Sequence, residues 1–249
     1  MKNLIKNKKI LVIAIALTIT LVGGTTNFIK AKLSSNNHYE NKTNNSEQIK
    51  TKEILNVISS FDYTYDISNN KLLADNSDYI AIIKITSVDG VTNKNRITGT
   101  YVAHPYTYGS AEVLKVLKGD LPTNNINYVR MGGKISYDEW LKGDVDPQKI
   151  ESVRKENGLS NTKTENIIVN YKAADDIDLE NGKTYLAYMF HNSSFNYDNE
   201  YNIHAVQYGL REIKDNGIST TSINDDNILV KNNTTGKWEK LSEVINLKK

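Results

Sequence analysis

The 249-residue chain contains no cysteine, and that absence excludes more chemistry than any motif establishes. Disulfides, thiol nucleophiles, thiolate metal sites, sulfur-based redox switching and lipid attachment at a lipobox cysteine are all removed. Stability must come from a buried core, which a chain of this length can supply. Histidine is scarce, at His38, His104, His191 and His204, and no H-E-x-x-H pair occurs among them. The G-x-S-x-G elbow of a serine hydrolase is missing too. Gly132-Gly133-Lys134 is a glycine turn at a strand end, because a phosphate loop needs glycine where Tyr128 stands and serine or threonine where Ile135 stands. No cofactor is expected.

An excess of one charge is also lacking, since 31 basic and 29 acidic residues leave a formal +2. Five lysines and no acid fall in residues 1–31, so the remainder carries −3. That balance provides no basic stripe for nucleic acid, and none is expected as a partner.

What is present begins at the start of the chain. Lys2, Lys6, Lys8 and Lys9 precede an apolar run over residues 10–22, which ends at Gly23 and Gly24. This is the layout of a secretory signal, with cleavage points at Gly24 or Ala31. A retained membrane anchor is the competing reading, if the run is extended to Phe28 and Ile29; a spanning helix needs about 20 predominantly apolar residues. Both readings predict an extracytoplasmic body, secreted or attached to the envelope, with membrane contact only through residues 1–31. Residues 32–50 are almost devoid of apolar side chains and read as a flexible polar tether. Residues 51–60 place Ile54, Leu55 and Ile58 on one helical face behind Thr51, predicting a short amphipathic helix. One domain is expected over residues 61–247.

Within it the signals are mainly those of strands. Residues 79–85 are apolar on both alternating faces, as in a strand buried on two sides. Residues 107–117 and 126–131 complete a meander. A helix follows, with Asp146 as N-cap, Pro147 at its first position, Gly158 as its stop and a Val145–Ile150 staple. Strands return at 166–171, at 184–190 after an Asn181-Gly182 turn, and at 201–208. Residues 227–231 and 237–241 are expected to pair, before a short C-terminal helix.

Three meandering strands, a helix and two further strands follow the order of an OB-type Greek-key barrel. The segments Ala74-Asp75 leading to YIAIIKI, AEVLKVLKGD, NGKTYLAYM and YGLREI resemble secreted bacterial domains with the tissue-inhibitor and netrin-like OB fold. Residues 113–119 carry the V-x-K-V-x-K-G phrase of that group. The resemblance spans residues 72–213 and implies an OB-like barrel of five to six strands, with a helix between strands 3 and 4 and short flanking helices. Metalloprotease inhibition through an N-terminal cysteine does not carry over to a cysteine-free chain.

Candidate ligand contacts are aromatic. Tyr101, His104, Tyr106 and Tyr108 cluster near one barrel rim, and Tyr137 with Trp140 forms a second group; such rings supply rigid contact area with a polar tip. Arg130 and Arg211 are the strand arginines suited to orienting a carboxylate or sugar acid. The expected function is a non-enzymatic module that binds an extracellular protein, peptide or envelope glycan. A hydrolase or metal site centred on His191 and His204, with Asp198 or Glu200, is the alternative, and a structural envelope component without ligand is a third. The acidic run Asp175, Asp176, Asp178 and Glu180 departs from a calcium loop, since Ala187 stands where the closing glutamate is required. It is expected to be a solvated loop.

Overall fold

The computed structural model describes residues 52–122, 124–193, 196–214 and 227–245. Residues 1–31, expected to be a signal or anchor, and residues 32–50, expected to be a tether, lie outside the described residues. In chain order the elements are β1 (Glu53–Ser59), α1 (Asn70–Asp75), β2 (Tyr79–Lys94), β3 (Tyr101–Lys118), β4 (Asn125–Met131), β5 (Gly133–Ser136), α2 (Tyr137–Trp140) and α3 (Pro147–Glu156). There follow β6 (Ile167–Ala173), β7 (Thr184–Phe190), β8 (Glu200–Ile203), α4 (Val206–Gly209), β9 (Leu210–Glu212), β10 (Leu229–Lys231), β11 (Trp238–Lys240) and α5 (Leu241–Val244). The molecule is mainly β, as expected. No helix among the described residues is long and apolar enough to cross a membrane.

Six strands form a sheet in the order β2-β3-β4-β8-β7-β9, and β2 also pairs with β7. Hydrogen bonding therefore runs in a ring through β2, β3, β4, β8 and β7. β2 is paired on both edges, and a separate core packs on each of its faces. Ala81, Ile83 and Ile85 join a core shared by all five ring strands, including Val113, Tyr128 and Met189. Ile80 and Ile82 face the other way, against Leu186, Tyr188 and the C-terminal Val230, Leu241 and Val244. The apolar run of residues 79–83, interrupted at the exposed Lys84 and resumed at Ile85, is the direct signature of this double burial.

The Lys-Gly end of β3 has a local cause. Lys118 Nζ donates to the carbonyls of Ala74 (2.7 Å) and Ser77 (2.6 Å), satisfying groups at the C-terminal end of α1. Gly119 then turns the chain at φ +81°, where a Cβ would lie 2.5 Å from the Asp78 carbonyl oxygen.

A second sheet has the order β1-β6-β5. Its inner face, with Leu55, Ile135, Val169 and Tyr171, packs against Tyr137 and Trp140 of α2 and Ile150 of α3. The helix expected at Asp146–Gly158 is present as α3, with the Asp146 side chain accepting from Gln148 N–H and Pro147 at the start. Residues 51–60 require a correction, since 53–59 form β1 and not a helix. Period two fits them as well as the helical spacing: Leu55 and Val57 turn inward while Ile54, Asn56 and Ile58 turn outward. Seven parallel register pairs with β6 decide the outcome and place the start of the domain at or before Glu53 rather than at 61.

Two further differences concern strand length. β2 and β3 extend past their expected segments into a long hairpin in which residues 87–94 pair with residues 101–110 through the backbone. The strand expected over 201–208 stops at Ile203, because Ala205 and Val206 take positive φ values of 59° and 36°. Residues 229–231 and 238–240 pair antiparallel, as anticipated.

Candidate functional site

His104, Tyr106 and Tyr108 recur at every second position of β3 and are each half-buried, alternating with the buried Pro105 and Thr107. Tyr101 is exposed, with the Lys94 and Lys142 ammonium groups 5.6 and 5.7 Å from its ring centre. His104 is half-buried; its Nδ1 lies 2.5 Å from the Tyr171 hydroxyl and its ring meets Phe61 edge-on. Burial and the Lys149 cation hold its pKa below the usual histidine value. Tyr106 is half-buried, and that burial raises its phenol. Tyr108 is half-buried beneath the Arg96 guanidinium, 4.4 Å from its ring centre.

The remaining candidates belong to the interior. Tyr137 and Trp140 are core residues of the second sheet, so the second aromatic rim group is withdrawn. A depression of about 290 Å³ beside them is lined by Leu141, Val145, Pro147, Ile150 and Glu151, and presents no convergent polar groups. Arg130 is buried; it pairs with Asp176 and donates to the Ile177 carbonyl at 2.9 Å. The acidic run is therefore not wholly solvated, since Asp176 closes the loop onto β4. Burial raises the Asp176 carboxyl and the Arg130 cation opposes that rise. Arg211 is likewise buried, donating to the Lys231 carbonyl at 2.9 Å and pairing with Glu239. Neither arginine is open to a ligand carboxylate.

The two histidines of the alternative reading are separated by register. Met189 pairs with Ile203 and Phe190 with Asn202, which sets His191 opposite Tyr201, whereas His204 N–H donates to the Tyr188 carbonyl. Position 188 lies on β7 and 191 is the residue just past its end; the odd spacing of three directs the two imidazoles to opposite sides. His191 Nδ1 meets the Glu200 carbonyl at 2.9 Å. His204 Nε2 meets Ser77 Oγ at 2.8 Å and its Nδ1 lies 3.5 Å from the Tyr65 hydroxyl. Ser77 has one proton and gives it to the Leu73 carbonyl at 2.7 Å. His204 must then donate through Nε2 and accept at Nδ1, which makes the chain a structural pin and leaves Ser77 without a base. Burial pushes the His204 pKa down to about 4. Among the described residues no three histidine or acidic side chains are grouped to hold a metal ion.

A different constellation emerges on the outward face of β3, β4 and β8. Register aligns Tyr108, Val129 and Asn202 in one row and Ser110, Asn127 and Glu200 in the next. The β2–β3 turn delivers Arg96 over this face. Asn95 Oδ1 accepts from Ile97 and Thr98 N–H, and Gly99 closes the turn at φ +76°. Arg96 pairs with the buried Glu200 and lies between the Tyr108 ring and the Tyr197 ring, the latter 5.4 Å away. Tyr197 O–H donates to the Arg96 carbonyl at 3.0 Å. Asn196 donates to Glu200 at 3.3 Å and accepts from Asn202. Tyr197 is 51 % exposed, and Ile97 and Tyr101 are exposed nearby in sequence.

No family model, curated protein or solved structure matches the chain. The site therefore rests on its own geometry: aromatic faces, planar amides, a carboxylate and a guanidinium with their orientations fixed by one another. Arg96, Asn127, Tyr197 and Asn202 were not sequence candidates, and Glu200 was considered only as a metal ligand. The aromatic-rich loop before β8 was the available signal, but its partner Arg96 lies 101 positions from Tyr197 in the chain.

Proposed function

We propose that this chain is an exported, non-enzymatic binding module that recognises an envelope glycan on the outward face of β3, β4 and β8. The Arg96 guanidinium, set against the Tyr108 and Tyr197 rings and paired with Glu200 on the strands that also carry Asn127 and Asn202, is the observation that carries this reading. Aromatic rings stack on apolar ligand faces, and planar amide, carboxylate and guanidinium groups pair with neighbouring hydroxyls. Their mutual hydrogen bonds preorganise them, which reduces the ordering cost of binding. An extracellular protein or peptide would use the same rings and is the reading to separate by experiment. The basic, acid-free start and the apolar run over 10–22 support export. The ring of hydrogen-bonded strands and its shared core support an OB-like barrel of the tissue-inhibitor and netrin-like kind.

The test is co-sedimentation of the full chain with envelope material, before and after protease treatment of that material. Binding that survives protease, falls at least tenfold in Tyr197→Ala and Arg96→Ala, and is retained in Trp238→Ala supports the glycan. Protease-sensitive binding with the same variant pattern moves the ligand class to protein. Binding indifferent to Tyr197 and Arg96 removes the site.

A further inference from the structure

The outer edge of β1 is the least protected strand edge in the described fold. β1 ends the β1-β6-β5 sheet, contains no proline and runs through seven register pairs without a bulge. Glu53 is its only charged residue, so the lysines, prolines and bulges that usually blunt a sheet edge are missing. Ile54 and Ile58 are 37 % and 57 % exposed on one face, with Asn56 between them.

The side-chain order along β1 is symmetric about Asn56: Ile54 mirrors Ile58 and Leu55 mirrors Val57. We propose that β1 pairs antiparallel with β1 of a second copy of this chain, across a two-fold axis at Asn56. In that register Ile54 lies beside the partner's Ile58 on the exposed face. Leu55 lies beside the partner's Val57 on the helix-covered face, and both three-stranded sheets join into one of six strands. A two-fold contact requires a self-complementary surface, which this order supplies. Charge selects the same orientation: antiparallel pairing sends the two Glu53 carboxylates to opposite ends, whereas in-register parallel pairing sets them side by side. One strand edge buries less than the roughly 1,200–2,000 Å² of a stable complex. The dimer is therefore weak and forms where the protein is concentrated.

The absence of cysteine provides a test on the full chain at its native location. Under mild oxidation of intact cells, Asn56→Cys places two thiols directly opposite each other, within the Cα separation of about 4.4–6.8 Å that a disulfide needs. Ile54→Cys alone or Ile58→Cys alone leaves like thiols four residues apart, about 13 Å along the strand, and should give at least tenfold less dimer. Co-expression of Ile54→Cys chains with Ile58→Cys chains restores the directly opposed pair and the dimer. This mixture alters only exposed positions, so it decides the matter if Asn56→Cys disturbs the 2.9 Å Asn170–Asn56 hydrogen bond. Ile58→Lys added to Asn56→Cys should lower the dimer yield at least tenfold. Equal cross-linking from every single variant, or no dimer from the Ile54→Cys and Ile58→Cys mixture, overturns the proposal.

Discussion

The ring-bonded sheet and the three-stranded sheet use similar residues to opposite ends. In the ring, β2 has a strand on each edge and a core on each face, so Ile80, Ala81, Ile82 and Ile83 are all fully buried. In the smaller sheet β1 has one neighbour and one covered face, and only Leu55 is fully buried among its four aliphatic positions 54, 55, 57 and 58. Both segments, YIAIIKI and EILNVIS, are rich in aliphatic residues, with Lys84 interrupting the first and Asn56 the second. What separates them is how many faces the rest of the chain covers, and this decides where substitution is costly and where the surface can accept a partner.

The largest expected effect lies where the fold covers a charge. Arg130→Met leaves the Asp176 carboxylate buried with its cationic partner gone, which costs about 3–5 kcal/mol. Urea denaturation checks this, and Asp176→Leu in the same chain should recover much of the loss. If the double variant is no more stable than Arg130→Met alone, the ion pair is not the source of the cost.

Aliphatic truncation compares the two sheets directly. Ile83→Ala removes a side chain with no exposure and should cost about 2–5 kcal/mol. Ile58→Ala, at an exposed position, should stay within about 0.5 kcal/mol for the monomer. A large loss at Ile58 in dilute protein would mean that its edge is covered within a single chain.

The same contrast explains how much could be read in advance. β2, β7 and α3 were legible because their burial patterns or caps are written in consecutive residues. β1 was misassigned because seven residues with Ile54, Leu55 and Ile58 satisfy both periods, and the deciding partner, β6, lies more than 100 positions away. Tyr137, Trp140, Arg130 and Arg211 were chosen as surface residues on residue type alone. Their burial depends on α2 folding onto the small sheet, on the loop that returns Asp176 to Arg130 and on β11, which carries Glu239 to Arg211. Tyr101 and Tyr108 do sit towards the turn end of the hairpin, but the arginine that organises Tyr108 comes from a turn with no distinguishing motif.

His204 connects the ring to the segments around α1 and makes stability depend on pH. Its folded pKa is near 4 against an ordinary 6.5. Between these values the unfolded chain binds the extra proton, so stability rises with pH across this window and is complete above it. A shift of that size corresponds to about 3 kcal/mol, lost as pH falls from 6.5 towards 4. Denaturation midpoints of the parent chain and His204→Gln, at pH 4.5 and 7, check this. The variant should lose most of the difference and retain the smaller contribution of His104, whose pKa is lowered in the same direction.

A small stability effect is also expected at Arg96, and that is what makes it informative. Arg96 and Arg130 each pair with a buried carboxylate, but the Arg96 side chain is 29 % exposed and the Arg130 side chain only 6 %. Removing Arg96 admits water to Glu200, which keeps its Asn196 hydrogen bond, so Arg96→Ala should cost about 1 kcal/mol or less. Arg96→Lys preserves the charge but removes the planar fork and the stacking surface between Tyr108 and Tyr197. Ligand binding should therefore fall in both variants while the denaturation midpoint barely moves. A residue retained only for stability would show the reverse order, with Arg96→Lys close to the parent chain in binding. The comparison of the two arginines thus separates an ion pair that holds the fold from one that presents a surface.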